Sequence, residues 1–177
     1  MERIMAYTLD QFCTDLSAAL QAKGNAGLPE IANKLSDLLN NPDFVAASFA
    51  DDTPPGKREL WHDPQTDAYV LAHVQEGGKT GKPHSHGASW AIYGTARGVT
   101  EMTEWRRVNP AGEDGVVLEK AKAYALRPGD TQAYGPGVIH STAHPQKAWV
   151  IRITGTDLDA IPRYHFRAKT DRIVEQV

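Results

Sequence analysis

The stretch Gly78-Lys79-Thr80-Gly81-Lys82-Pro83-His84-Ser85-His86-Gly87 decides how the rest of the chain is read. Successive side chains of an extended strand point to opposite faces, so His84 and His86, two apart, point the same way. Two metal ligands must share a face in this way, and imidazole suits Fe, Zn, Ni or Cu without choosing among them. A lone His-x-His pair is weak evidence, since strand histidines also settle against backbone carbonyls. The surroundings strengthen it. Gly78 lies six residues before His84, and Gly98 closes the strand pair that follows, giving Gly-x5-His-x-His-x11-Gly. Downstream, Pro128-Gly129-Asp130 turns into a short strand. Gly135-Pro136-Gly137-Val138-Ile139-His140 then sets a third histidine at the start of another strand, just after a tight turn. Three imidazoles on one face inside a small barrel make a metal site.

The segments on either side agree with a barrel. After Lys57 the chain reads as short β-like runs at 58–62, 68–75, 82–94, 98–108, 116–125, 130–134, 140–143 and 149–155. Turn signals separate them, and no helix intervenes. Roughly eight such strands predict a barrel or jelly roll. The tail from Asp157 is mixed and charged and is expected to pack across the barrel. The first fifty residues read differently. Thr8 and Gln11 form a capping-box pattern ahead of Leu9, Phe12, Cys13, Leu16, Ala19 and Leu20, which recur at helical spacing. Pro29 opens a second helix with the stripe Ile31, Leu35, Leu38 and Leu39, stopped by Asn40-Asn41-Pro42. One further turn is expected at 44–49. The run 51–56, Asp-Asp-Thr-Pro-Pro-Gly, reads as a linker. The expected organisation is a helical segment over 1–56 and a β-barrel domain with its tail over 57–177.

Composition bounds the function. The chain has 177 residues, 41% of them hydrophobic, which suffices for a packed core. A formal charge of −3 argues against a dedicated nucleic-acid binder. The single cysteine, Cys13, rules out an internal disulfide and any Cys-rich zinc module, and its place in a helical stripe makes it a core residue. No signal peptide and no membrane-length apolar run are read, so a cytoplasmic protein with no membrane partner is expected.

The two histidine segments together resemble the cupin superfamily. Its first motif, Gly-x5-His-x-His-x3/4-Glu-x6-Gly, is matched by Gly78, His84, His86 and Gly98, and its second by Gly129, Gly137 and His140. The resemblance covers about 58–154 and implies a mainly β fold, a cupin-type double-stranded β-helix (jelly roll), here with an N-terminal helical extension. It also implies His84, His86 and His140 as metal ligands. Three departures stand out: Trp90 and Ala91 occupy the place of the motif's Glu, the second-motif proline is displaced to Pro136, and His144 replaces the final Asn. Three histidines without a glutamate resemble the thiol dioxygenases, the cysteine dioxygenase-like cupins, which hold Fe(II) and add O2 to a thiol sulfur. That resemblance implies a carboxylate-pairing role for Arg58, 26 residues before His84. The Ser-x-His-x-Tyr relay of those enzymes is missing, with Arg152 and Thr154 near where His and Tyr would fall.

The expected function is therefore a metal-dependent cupin enzyme. The specific expectation is a non-haem Fe(II) dioxygenase acting on a small anionic carboxylate or thiol-acid substrate together with O2. Fe(II) is the expected cofactor, with Zn, Ni and Mn as alternatives. An isomerase or lyase using the metal as Lewis acid and a non-enzymatic ligand-binding cupin remain open, as does a homodimer. Tyr134 precedes the second turn and is the candidate hydroxyl for the pocket, with core packing as its plainer account. Tyr93 and Trp90 are expected to line the barrel. Glu101 and Glu104 read as a solvated strand face, with a fourth-ligand role open to either. His144 shares a side with His140, but Pro145 follows it at once, which favours a strand-end surface position. His62, His73 and His165 lack spacing partners. Arg152 lies opposite the apolar face formed by Trp149, Ile151 and Ile153, which reads as the weaker place for a binding residue.

Overall fold

The computed structural model describes residues 6–169 and 172–176. The chain opens with three helices, α1 (Leu9–Lys23), α2 (Leu28–Leu39) and α3 (Pro42–Ser48). The Thr8–Gln11 box forms at the start of α1. The Gln11 amide donates to the Thr8 hydroxyl at 3.3 Å, and the Thr8 amide donates to the Gln11 side-chain oxygen at 2.9 Å. Asn40 ends α2 and Asn41 caps α3: the Asn41 Oδ1 accepts from the amides of Asp43 and Phe44, and its Nδ2 donates to the Tyr7 carbonyl.

Twelve strands follow among the described residues. They are β1 (Gly56–His62), β2 (Tyr69–Gln75), β3 (Lys79–Thr80), β4 (His84–Ser85), β5 (Ala91–Arg97) and β6 (Thr100–Arg107), then β7 (Leu118–Leu126), β8 (Thr131–Tyr134), β9 (Ile139–His144), β10 (Ala148–Thr154), β11 (Tyr164–Lys169) and β12 (Arg172–Gln176). One sheet runs β1-β2-β10-β5-β8. The other runs β12-β11-β4-β9-β6-β7, with β3 also paired to β9. Adjacent strands pair antiparallel. The two sheets close on each other as a double-stranded β-helix barrel, mainly β, with the helices as an N-terminal extension.

The first sheet is covered on both faces. Phe12, Leu16, Ile31, Leu35 and Leu38 of the helices share one core with Val70, Ile92, Ile151 and Ile153. The alternate residues Tyr93 and Val150 pack inside the barrel with Met102, Leu126 and Tyr134. Gly94 lets α2 sit down on β5: a Cβ there would lie 2.6 Å from Leu39 Cδ1 and 2.9 Å from Leu35 Cδ2. Two hydrogen bonds fix the same seam, Ser36 Oγ to the Gly129 carbonyl at 2.7 Å and Thr131 Oγ1 to the Ala32 carbonyl at 2.8 Å.

Three expectations change in detail. The single strand expected over 82–94 is two strands joined by a turn, closed by the Ser89 amide donating to the His86 carbonyl. Gly87 makes that turn with φ +58, where a side chain would strain the backbone and a Cβ would meet the Pro162 carbonyl oxygen at 2.5 Å. The charged tail supplies β11 and β12, which extend the second sheet beside β4. Trp90 belongs to the helix-side core rather than the barrel interior, packed against Gly155.

Candidate metal centre

His84 and His140 face each other directly across the β4–β9 pairing. His86 stands one residue beyond the end of β4 and turns back toward them. The ring centroids lie 4.6 Å apart for His84–His140, 4.9 Å for His86–His140 and 5.1 Å for His84–His86. One ring nitrogen from each residue falls within 4.8 Å of the others, and among the described residues this is the one such group of potential ligands.

The outward nitrogens are already committed. His84 Nδ1 faces the Lys82 carbonyl at 3.0 Å, and His140 Nδ1 faces the Val138 carbonyl at 3.3 Å. A carbonyl opposite Nδ1 calls for a proton there and leaves Nε2 as a lone pair aimed at the centre. Burial holds all three imidazoles neutral. It pushes His86 down to about 2 and His140 down to about 3, helped by each histidine's neighbours in the group, and it lowers His84 as well. Neutral imidazole is the ligating form, so this donor set fits a borderline divalent ion such as Fe, Zn or Ni. His84, His86 and His140 are the residues that would hold it.

Aromatic hydroxyls surround the group. The Tyr93 hydroxyl lies 3.4 Å from His86 Nε2 and 3.3 Å from His140 Nε2. The Tyr134 ring is stacked on His140, but its hydroxyl turns away to the Tyr124 hydroxyl, which in turn donates to the Glu104 carboxylate at 2.7 Å. Tyr134 thus supports the ring of a candidate ligand and its hydroxyl is bonded outside the imidazole cluster. Glu104 is occupied by Tyr124, and Glu101 is exposed, so neither carboxylate joins the imidazoles.

Beside the imidazoles is a cavity of about 90 Å³ lined by His73, Gln75, His84, Tyr93, Thr142, His144, Val150 and Arg152. Two polar atoms here are buried without a partner, Arg152 Nε and His73 Nε2. Burial pushes His73 down to about 3, with the Arg152 charge acting in the same sense. His144 is 6% exposed and lines this cavity, which corrects the surface position expected for it.

The two arginines exchange places relative to the sequence reading. Arg58 is exposed on β1, opposite Ala72, a residue of the helix-side core, and it donates to the Ser48 carbonyl. It is on the far side of the sheet from the imidazoles and does not meet them. Arg152 is the arginine inside the barrel. The alternation along β10 was legible, but the apolar face of that strand meets the helices, so the opposite face is the lumen. His165 pairs with His84 across β4–β11 yet is exposed, and His62 is held by Asp67 and stacked on Tyr69. No described helix is long and apolar enough to cross a membrane.

No family model matches the chain, and no curated protein matches it in sequence. Solved structures do resemble it in outline. A cupin superfamily protein from Desulfitobacterium hafniense is 12% identical, with 64% of this chain and 87% of that one covered and a TM-score of 0.45. An uncharacterized conserved protein with a double-stranded β-helix domain from Klebsiella pneumoniae is 13% identical, with 68% and 87% covered and a TM-score of 0.45. KdgF from Halomonas sp. is 18% identical, with 63% and 91% covered and a TM-score of 0.44. At such identities the chemistry of the site rests on this chain's own residues.

Proposed function

We propose that the barrel houses a single divalent metal ion, iron before Zn, Ni or Mn, and uses it to oxidise a small anionic substrate with O2. The observation that carries this reading is the convergence of three neutral imidazoles, without a carboxylate, beside Arg152, whose Nε is buried without a hydrogen-bond partner. An ion held by these imidazoles keeps positive charge and open positions, which attract anions and, for Fe(II), O2.

The chain's own residues supply the rest. Arg152 orients a carboxylate or other anion through charge-assisted hydrogen bonds, the role assigned to Arg58 by resemblance alone. The cavity matches about three water molecules in volume, at about 30 Å³ each, so it suits an acid of a few heavy atoms. A second reading, isomerase or lyase chemistry with the metal as Lewis acid, would use the same three imidazoles and the same cavity.

Oxygen uptake by anaerobically iron-loaded protein tests the proposal. A panel of small thiol acids, hydroxy acids and diketones is expected to contain a substrate whose uptake His84→Ala abolishes. Metal-loaded protein that consumes no O2 with any member, yet exchanges a substrate C–H proton with solvent, supports the Lewis-acid reading instead.

A further inference from the structure

We infer that Tyr93 is the fourth protein ligand of this metal centre, bound through its phenolate oxygen. The inference rests on the reading that His84, His86 and His140 hold the ion.

Two distances at the cluster are those of neighbouring ligands of one ion. Ligand atoms about 2.1 Å from a common ion are about 3.0 Å apart at octahedral angles and about 3.4 Å apart at tetrahedral angles. Tyr93 Oη lies 3.3 Å from His140 Nε2 and 3.4 Å from His86 Nε2. These separations are long for hydrogen bonds to an O–H donor and suit neighbouring ligands of one ion.

With Nδ1–H of His84 and of His140 turned to backbone carbonyls, the Nε2 atoms of both carry lone pairs that can take an ion. The hydroxyl has no carboxylate or carbonyl partner among its hydrogen bonds, and Tyr93 is 7% exposed. Burial pushes the Tyr93 hydroxyl up, and the Arg152 charge, in the same cavity, opposes that. Tyr134, the other tyrosine at the cluster, has its hydroxyl bonded to Tyr124 and is not a competitor.

Binding breaks the Tyr93 O–H bond and forms an oxygen–metal bond. The proton leaves to solvent, and no electron moves.

The test is spectroscopic. Protein is loaded anaerobically with Fe(II), its iron counted, and the iron oxidised with ferricyanide. Wild type is expected to hold one iron per chain and to show a visible phenolate-to-Fe(III) charge-transfer band. Excitation in that band should enhance tyrosinate ring modes in the Raman spectrum. Tyr134→Phe is expected to keep the band. Tyr93→Phe is expected to lose it and to hold Fe(II) more than about tenfold more weakly. One iron per chain in wild type with no band overturns Tyr93 ligation and leaves the three-histidine reading standing. Failure of wild type to bind iron, Zn, Ni or Mn overturns both. The wild-type Raman result decides the question even if Tyr93→Phe does not fold.

Discussion

The ring of Tyr134 lies flat on the imidazole of His140, with centroids 4.5 Å apart and planes 9° from parallel. The contact locks one candidate ligand from the face, while the Val138 carbonyl holds its Nδ1 from the edge. Tyr134 in turn is held by Tyr124, whose hydroxyl is anchored on Glu104. Removing the ring should therefore loosen His140 as well as leave a hole. Tyr134→Ala is expected to cost about 3–5 kcal/mol of stability, the usual range for a buried aromatic. Tyr134→Phe keeps the stack and is expected to retain metal at the wild-type level. Urea denaturation with metal analysis of both variants separates support of the ring from packing alone.

Leu35 tests whether the helices are part of the barrel's foundation. It is fully buried and shares a core with Ile151 and Ile153 of the sheet whose other face carries Arg152. Leu35→Ala is expected to cost about 2–5 kcal/mol. The transition should stay single, with helical and aromatic signals moving together. Loss of helical signal ahead of the barrel's would show two separate cores.

Much of this was legible in the sequence. Thr8 and Gln11 marked the first helix, because a capping box is local chemistry. His84, His86 and His140 announced themselves by spacing on two segments. What alternation could not supply was the identity of the faces. Ile151 and Ile153 look inward by the usual rule that apolar means core, but here the helices form a second core outside the sheet. The polar side holding His73, Tyr93 and Arg152 thereby becomes the barrel interior. His144 shows a related effect: Pro145 marks the strand end, but the side chain lines the cavity beside His73 and Arg152 inside the barrel. The tail strands were hidden because a charged segment pairing on one edge carries little periodic signal.

The exchange of arginines gives a direct contrast. Arg152→Gln is expected to weaken a small carboxylate substrate by about 2 kcal/mol, roughly thirtyfold in KM, through loss of a charge-assisted hydrogen bond. Arg58→Gln is expected to leave KM unchanged, since that side chain reaches only the Ser48 carbonyl. Steady-state kinetics on both variants decides it, and the reverse pattern would return the anchor to Arg58.

Buried neutral histidine predicts an acid-sensitive fold. His73 is held near 3 in the folded protein by burial first, then by Arg152, against an ordinary value of 6.5. Between those values the unfolded chain binds a proton that the folded chain does not, so stability falls as pH drops below about 6.5. One such group contributes up to about 1.4 kcal/mol per pH unit, or about 2 kcal/mol between pH 6.5 and 5. Urea midpoints of the metal-free protein at pH 7.5 and pH 5 should differ in this sense. His73→Gln should narrow the gap by about that amount.

The central claim is that His84, His86 and His140 hold one metal ion inside the barrel. Metal analysis of protein purified anaerobically, alongside His140→Ala of unchanged circular dichroism, tests it most directly. The prediction is one divalent ion per chain in the wild type and loss of nearly all of it in the variant. Equal metal content in the two proteins, or folded wild type that takes up no Fe(II), Zn, Ni or Mn, would contradict it.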